Sequence, residues 1–163
     1  MSGDAVDGIQ EQWRRERPDL DLSAMGVFAR LWQAADSLKP LVAEELAKRG
    51  LRRGEFDVLT ALRRAGEPYT LIPSELAATM MMSRAGMTNR IDRLEAAGLV
   101  ARRLDPADRR SFLIALTDRG FELIEAAMGD HAANLARLIA PLSRSEQAAL
   151  DQALRALLRG LAG

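Results

Sequence analysis

The sequence predicts a mainly α-helical fold with one small β-hairpin, on the basis of three observations. Apolar residues recur at helical spacing in long segments at both ends of the 163 residues. A shorter helical pattern in the middle stops at Gly98, where glycine is typical of the residue after a helix. Two β-prone segments follow, separated by the turn sequence Asp105-Pro106-Ala107-Asp108. This order is typical of a winged helix-turn-helix, with N- and C-terminal helices forming a dimerisation lobe.

Two helices are predicted in the N-terminal part. The segment from Ala5 to Glu16 is compatible with a helix that holds Trp13 among charged side chains. An aromatic ring in such surroundings typically packs on its own domain as an anchor. From Leu22 to Arg49 the apolar residues keep a broadly helical period. Pro40 is expected to kink or divide this second helix, and Gly50 is expected to end it.

A helix-turn-helix is predicted in the middle of the chain. One helix begins near Gly54, and a short helix begins around Pro73, where the missing N–H of proline costs little. Met80-Met81-Met82 forms the corner before the next helix, which follows Ser83. Core packing is the preferred interpretation of the methionines, because a soft-metal site would need cysteine or histidine beside them.

The helix after Ser83 has an apolar stripe and a polar face. Met87, Ile91 and Leu94 follow helical spacing and are predicted to face a core. The polar face offers Asn89 for an adenine edge and Arg93 for guanine or phosphate in the major groove. For the exposed arginines, the alternative is a solvated or salt-bridged surface. The residues predicted to contact DNA are Ser83, Arg84, Thr88, Asn89, Arg93, Arg109 and Arg110.

The predicted wing is an arginine-rich hairpin whose strands are Leu99 to Ala101 and Ser111 to Leu116. Arg109 and Arg110 stand at its tip, where they can enter the minor groove or pair with phosphate. Between Arg84 and Arg110 there are seven arginines against four carboxylates, although the formal net charge of the chain is zero. Positive charge is therefore concentrated where DNA contact is predicted.

Two more helices are predicted after the wing. One runs from Thr117 to about Ala140 and is ended by Pro141, and the last begins at the capping-box sequence Ser143-Arg144-Ser145-Glu146. The apolar stripes of the terminal helices exceed what one small domain can cover, which predicts a homodimer. A homodimer would place two recognition helices about 34 Å apart on a palindromic operator in double-stranded DNA. We therefore expect dimerisation helices in residues 1–49 and 117–163, and the winged DNA-binding region in 50–116.

Arg90 departs from the pattern of its helix. It lies beside the apolar stripe and is expected to lean toward the protein interior. A partly buried guanidinium needs an acceptor, and Asp57, which stands between two apolar residues, is a candidate. Arg102, at the base of the first wing strand, is expected nearby. These residues form either a polar pocket or a structural ion-pair network that only fixes the helix.

Composition and motifs disfavour several other classes of protein. The chain has no cysteine and one histidine, His131, so disulfides, cysteine redox chemistry and a histidine metal cluster are not expected. Glycine-rich phosphate loops and the G-x-S-x-G elbow are missing, so we expect neither an enzyme nor a cofactor, and His131 is interpreted as a helix-face or interface residue. No apolar run is long enough to suggest a membrane span, and the N-terminus does not resemble a secretory leader, which favours the cytoplasm.

The residues resemble those of the MarR family of winged-helix transcriptional regulators. The similar segments are GEFDVLTALRRAG, LIPSELA and MMSRAGMTNRIDRLEAAGLVARRLDPADRRSFLIALTDRG, including the D-x-R-R wing and the L-T-x-x-G entry into the next helix. The preceding QWRRERPDLDLSAMGVFARL is similar to the PecS-type, urate-responsive subgroup, whose additional N-terminal helix bears a tryptophan. The chain departs from the family pattern at Ile72, where threonine is frequent, and at Arg84, where small residues are common.

The resemblance implies a repressor that a ligand releases from DNA. In the PecS-type subgroup a tryptophan, an aspartate and two arginines hold the ligand, and these look like Trp13, Asp57, Arg90 and Arg102 here. The expected ligand is urate, a planar anion near neutral pH, or another aromatic acid such as a phenolic acid. The alternative is a constitutive or architectural DNA-binding protein without a small-molecule effector.

Overall fold

A computed structural model describes residues 3–80, 84–105 and 112–162. In chain order, these residues form α1 (Ala5–Glu16), α2 (Ser23–Ala47), α3 (Arg53–Arg64), β1 (Thr70–Leu71), α4 (Pro73–Thr79), α5 (Arg84–Ala96), β2 (Val100–Leu104), β3 (Phe112–Leu116), α6 (Asp118–Ile139) and α7 (Arg144–Leu161). The predicted mainly α fold with a β-hairpin wing is confirmed. Within these described segments, no helix combines the length and the apolar character needed to cross a membrane.

Side-chain caps and a glycine set three helix ends close to where the sequence predicted them. Thr117 caps α6 by accepting a hydrogen bond from the Gly120 N–H, and Ser143 caps α7 with Glu146 reaching back to its N–H. Gly98 follows α5 with a φ of 69°, the left-handed conformation that glycine adopts without a steric penalty. Pro40 lies inside α2, which continues on both sides of it, so the proline does not divide the helix.

The strands form one antiparallel sheet in the order β1-β3-β2. Val100 pairs with Leu116 and Leu104 with Phe112, so β2 and β3 form the predicted hairpin, with a first strand that extends further than expected. The strand β1 was not predicted, since two residues are too few to show an alternating pattern. It adds a third strand against the inner edge of the wing, pairing Thr70 with Ala115.

The chain consists of two compact units, Met1–Val42 and Ala43–Gly163. In the first, α1 packs on the start of α2: the Gln10 amide donates to the Leu22 carbonyl at 3.0 Å, and Arg30 binds the carboxylates of Asp4 and Asp7. Gly26 leaves the space that the Gln10 side chain occupies.

In the second unit α3 is central, with contacts to α4, α5, α6 and β3. Its residues Phe56, Val58, Leu59 and Leu62 are buried in the core. The helix α5 packs on α3, α4 and β2. This arrangement places side chains of α3, α4 and α5 around a common space.

Candidate functional site

The helix α5 divides into two faces as its spacing predicts. Met87, Ile91 and Leu94 are each 1% exposed and belong to the core. Thr88 and Asn89 are exposed on the other side of the helix. Thr88 and Asn89, both predicted to contact DNA, therefore lie at the protein surface.

Arg93 lies on the same outward side of α5, but a carboxylate of another helix holds it. Its Nε is 3.0 Å from Oε1 of Glu55, whose side chain is only 12% exposed. Glu55 also accepts the Arg52 N–H at the start of α3. No sequence pattern predicts this pair, because the two residues are far apart in the chain and follow no local spacing rule.

Four of the residues predicted to contact DNA cannot be placed in full. Ser83, Arg109 and Arg110 lie outside the described residues. Arg84 is the first residue of α5, and its side chain lies outside the described part of the structure as well.

A cavity of about 340 Å³ lies among α3, α4 and α5, and it is open to solvent. Its lining residues are Asp57, Thr60, Arg64, Thr79, Met80 and Arg90. Asp57 and Arg90, two of the four predicted ligand residues, thus share one concave site. Core packing was expected for the three methionines, but Met80 lines the cavity and is only half-buried. Met81 and Met82 lie outside the described residues.

The guanidinium of Arg90 lies over the first turn of α3. A Cβ added at Gly54 would stand 2.3 Å from Arg90 Cζ, so the absence of a side chain there makes the room. Arg90 Nη1 is 4.0 Å from the thioether sulfur of Met80. Among the described residues, no carboxylate lies within ion-pair distance of Arg90. Its inward lean agrees with the sequence analysis.

The candidate ion pair between Arg90 and Asp57 does not form. Asp57 Oδ1 instead accepts from Nε of Arg53 at 3.0 Å. Arg53 stands one helical turn earlier on α3, and side chains four residues apart on a helix are close neighbours. Asp57 therefore has its negative charge matched by a residue outside the cavity lining.

Arg102 connects the wing to α5. Its guanidinium binds the carboxylates of Asp92 and Glu95, and its backbone N–H donates to Glu95 Oε1 at 3.2 Å. The hydrogen bond to Asp92, and then the charge of Glu95, raise the pKa of Arg102 above its ordinary value against the opposing effect of burial. In this arrangement the side chain of Arg102 is not among those that line the cavity.

Trp13 lies in α1, in the first unit, and is 46% exposed. A ring packed as an anchor on its own domain would be buried, so that interpretation is wrong for the chain as described. Exposure of nearly half of so large an apolar residue leaves a surface available for a ligand or another chain.

His131 of α6 lies against Phe56 of α3. Its ring centroid is 4.9 Å from that of Phe56, and its Nδ1 is buried without a hydrogen-bond partner in the described structure. Burial lowers the pKa of His131, the charge of Arg53 lowers it further, and Asp57 opposes both. The described residues contain no group of three or more His, Asp or Glu placed to hold a metal ion.

Thr60 and Arg64 were also missed, although a sequence signal exists for them. They follow Asp57 on α3 at positions i+3 and i+7, which lie on one face of a helix. Once Asp57 was assigned to a pocket, the same spacing would have placed both residues beside it. Thr79 and Met80 follow no such rule, because they are brought to the cavity by the packing of α4.

Comparisons with known proteins agree with this architecture. Residues 49–111 match the model of the MarR family. The HTH-type transcriptional regulator PecS of Dickeya dadantii is 39% identical over 153 residues, which cover 94% of this chain and 90% of that protein. The crystal structure of AbsC, a MarR family transcriptional regulator from Streptomyces coelicolor, has a TM-score of 0.78 at 26% identity, covering 88% of this chain and 97% of AbsC.

Another similar structure is that of BpsR from Bordetella bronchiseptica, whose DNA binding is regulated by 6-hydroxynicotinic acid. It has a TM-score of 0.69 at 27% identity, covering 80% of this chain and 91% of BpsR. With its fold and a relative similar over nearly its full length, the chain belongs to the MarR family of winged-helix transcriptional regulators, which are DNA-binding proteins and not enzymes.

Proposed function

We propose that the chain is a repressor that binds a palindromic operator as a homodimer and releases it when a small planar anion binds in the cavity. The observation that supports this proposal is the position of Arg90. It lines the cavity, yet it follows Asn89, an exposed residue of the face assigned to DNA, directly on α5. A ligand that draws Arg90 toward itself therefore acts on the helix that reads DNA.

The release is a shift between two states of the dimer. Without ligand, the two recognition helices stand at the spacing of successive major grooves. Ligand binding favours a different position of α5, which lowers the affinity for DNA. Bound DNA lowers the affinity for the ligand by the same factor. Wing and helix move together in this scheme, because Arg102 links β2 to Asp92 and Glu95 of α5.

We propose Trp13, Asp57, Arg90 and Arg102 as the ligand set and urate as the ligand, with another aromatic acid as the variant within the same class. The shared cavity supports Asp57 and Arg90. The family resemblance alone adds Trp13 and Arg102. That the DNA binding of BpsR is regulated by 6-hydroxynicotinic acid, a small heterocyclic acid, supports the class of ligand.

We further propose that residues 1–49 and 117–163 supply the dimer contacts and that residues 50–116 bind DNA. The helix α7 has no buried residue among those described, although it carries an apolar edge with Leu150, Leu158 and Leu161. An amphipathic helix with an uncovered apolar edge is expected to pack against a second copy. In DNA binding, Thr88, Asn89 and Arg93 act in the major groove, with Ser83 and Arg84 beside them and Arg109 and Arg110 at the wing tip.

The test measures operator release. An operator is selected from random duplex DNA with the wild-type protein, and its binding is followed by fluorescence anisotropy during a urate titration. Arg90→Ala and Asp57→Ala should bind the operator but need far more urate for release. The control is Arg52→Ala, at an exposed arginine just before α3 that does not line the cavity. If both variants release DNA at the wild-type urate concentration, the site assignment is wrong. If neither urate nor any aromatic acid releases the wild type, the protein is a constitutive DNA binder.

A further inference from the structure

We propose that Arg64 is a second cationic residue of the effector cavity and that it makes the cavity prefer an anionic heterocycle to a neutral one of the same shape. This inference rests on the proposed function, since it takes the cavity among α3, α4 and α5 as the effector site. Arg64 lies outside the ligand set that the family resemblance implies.

The position of Arg64 on α3 supports the proposal. Asp57, Thr60 and Arg64 form one stripe of α3 along the cavity, and Arg90 lines it from α5. Because Arg64 is in the last turn of α3 and its side chain is exposed, the guanidinium can turn toward a ligand without leaving a buried partner. Among the described residues, its Nε makes only a long contact, 3.4 Å, with the Thr60 carbonyl oxygen.

The charges of the residues that line the cavity also support the proposal. Asp57 is paired with Arg53, so its charge is already compensated. Within the described residues, neither Arg64 nor Arg90 has a carboxylate within 4.0 Å. The lining therefore presents two guanidinium charges that no described carboxylate balances, and such a concave site concentrates anions. Planar guanidinium groups bind planar anions through paired hydrogen bonds.

The residues that line the cavity also offer several hydrogen-bond acceptors to a ligand. The Thr60 hydroxyl donates to the Phe56 carbonyl at 2.7 Å, and the Thr79 hydroxyl donates to the Glu75 carbonyl at 2.8 Å. Each hydroxyl has used its proton, so both can only accept from a ligand. Asp57 is an acceptor as well. A ligand that satisfies this lining has an anionic edge for the two arginines and ring N–H groups for the acceptors.

Two other roles for Arg64 predict different behaviour. As a cation in the last turn of α3, it would stabilise the helix C-terminus and change only stability. As a phosphate contact, it would change DNA affinity in the absence of any ligand. The charge of the ligand would matter to neither role, so a comparison of an anionic purine with a neutral one separates them from the proposal.

The experiment measures binding of urate and of neutral hypoxanthine by isothermal titration calorimetry at about pH 7.5, with the full chain. Arg64→Gln should weaken urate binding by about tenfold or more, the usual size of a lost hydrogen bond to a charged group. Binding of hypoxanthine should change by less than about twofold, so the preference for the anion falls. Arg64→Lys should retain part of that preference. The control is Arg52→Gln, an exposed arginine at the other end of α3 that does not line the cavity.

The outcomes are distinguishable. If Arg64→Gln binds urate as the wild type does while Arg90→Gln loses binding, the inference is overturned and the proposed function stands. Weaker operator binding by Arg64→Gln without urate would identify a phosphate contact and also overturn it. If the wild type binds no urate, the proposed effector fails and the inference fails with it.

Discussion

At the scale of single residues, Gly120 lets the backbone of α6 approach the backbone of Leu99 closely. A Cβ at this position would stand 1.9 Å from the carbonyl oxygen of Leu99, which belongs to the backbone and cannot swing away. We expect Gly120→Ala to destabilise the fold by about 1–3 kcal/mol, as overpacking does. Gly129, on the same helix, has open space around the added atom, and Gly129→Ala should stabilise by about 0.5–1 kcal/mol. Urea denaturation at one protein concentration compares the two, and equal midpoints would contradict the assignment.

Gly54 tests the position of Arg90 without altering its charge. A methyl group at Gly54 would displace the Arg90 guanidinium, which is the flexible end of its side chain, so the fold should tolerate Gly54→Ala. We expect operator affinity to stay within about twofold of wild type, and the urate needed for release to rise by about tenfold, the cost of one charged hydrogen bond. Fluorescence anisotropy measures both quantities, with Gly129→Ala as the matched control. If Gly54→Ala needs the same urate concentration for release as the wild type, the Arg90 guanidinium does not lie over Gly54 in the protein.

His131 makes stability depend on pH. Its folded pKa is lowered by burial and by Arg53, so folding favours the neutral ring. The unfolded histidine titrates at about 6.5. The contribution is therefore fully present above about pH 6.5 and is lost as the pH falls toward the lower folded pKa. We expect the unfolding free energy to fall between about pH 7 and pH 5, and His131→Gln to show a smaller fall. Urea denaturation across this range measures the slopes.

Carboxylates do not obscure that measurement. The pKa of Asp4 is lowered chiefly by its hydrogen bond from Arg30, and that of Glu146 by the Ser143 hydroxyl. Both groups have ordinary values near 4, so their contribution is present above that pH and is lost below it. Equal slopes for wild type and His131→Gln between about pH 7 and pH 5 would show that His131 does not titrate as assigned.

At the scale of elements, Arg102 joins the wing to α5. Removing its bonds to Asp92 and Glu95 should loosen β2 against α5, by about 0.2–1 kcal/mol for each partly exposed ion pair. We expect Arg102→Ala to raise hydrogen exchange in β2 and β3. Arg103→Ala is the matched control, since the next residue on a strand points to the opposite face and Arg103 is exposed. Equal hydrogen exchange in the two variants would show that Arg102 does not hold β2 against α5.

The same elements show what the sequence could and could not predict. Periodicity and caps predicted α1, α6, α7 and the two strands of the wing, because these depend on residues close in the chain. The strand β1 is defined only by its pairing with β3, and it carries no pattern of its own. At the site, the inward lean of Arg90 followed from its helix, but the pairing of Asp57 with Arg53 and of Arg93 with Glu55 depends on how α3 and α5 pack.

At the scale of the whole molecule, the zero net charge means that DNA affinity depends on how the DNA-contacting groups are placed. Weak overall attraction to phosphate gives a single winged helix little affinity for DNA, and one recognition helix reads few base pairs. Two linked copies on a palindrome gain affinity because the second contact becomes intramolecular. Dimerisation is thus a condition for operator binding in the proposed function.

The uncovered edge of α7 provides the test of that condition. Leu158 and Leu161 are 64% and 74% exposed, and glutamates at both positions would place charges where a second copy is proposed to pack. We expect Leu158→Glu combined with Leu161→Glu to change the sedimenting species from dimer to monomer and to weaken palindromic operator binding by about 100-fold. Leu104→Glu on β2, at 62% exposure, controls for the added charge in sedimentation. A double variant that remains dimeric would exclude α7 from the interface, and a monomer that binds the palindrome at wild-type affinity would show that recognition does not need two copies.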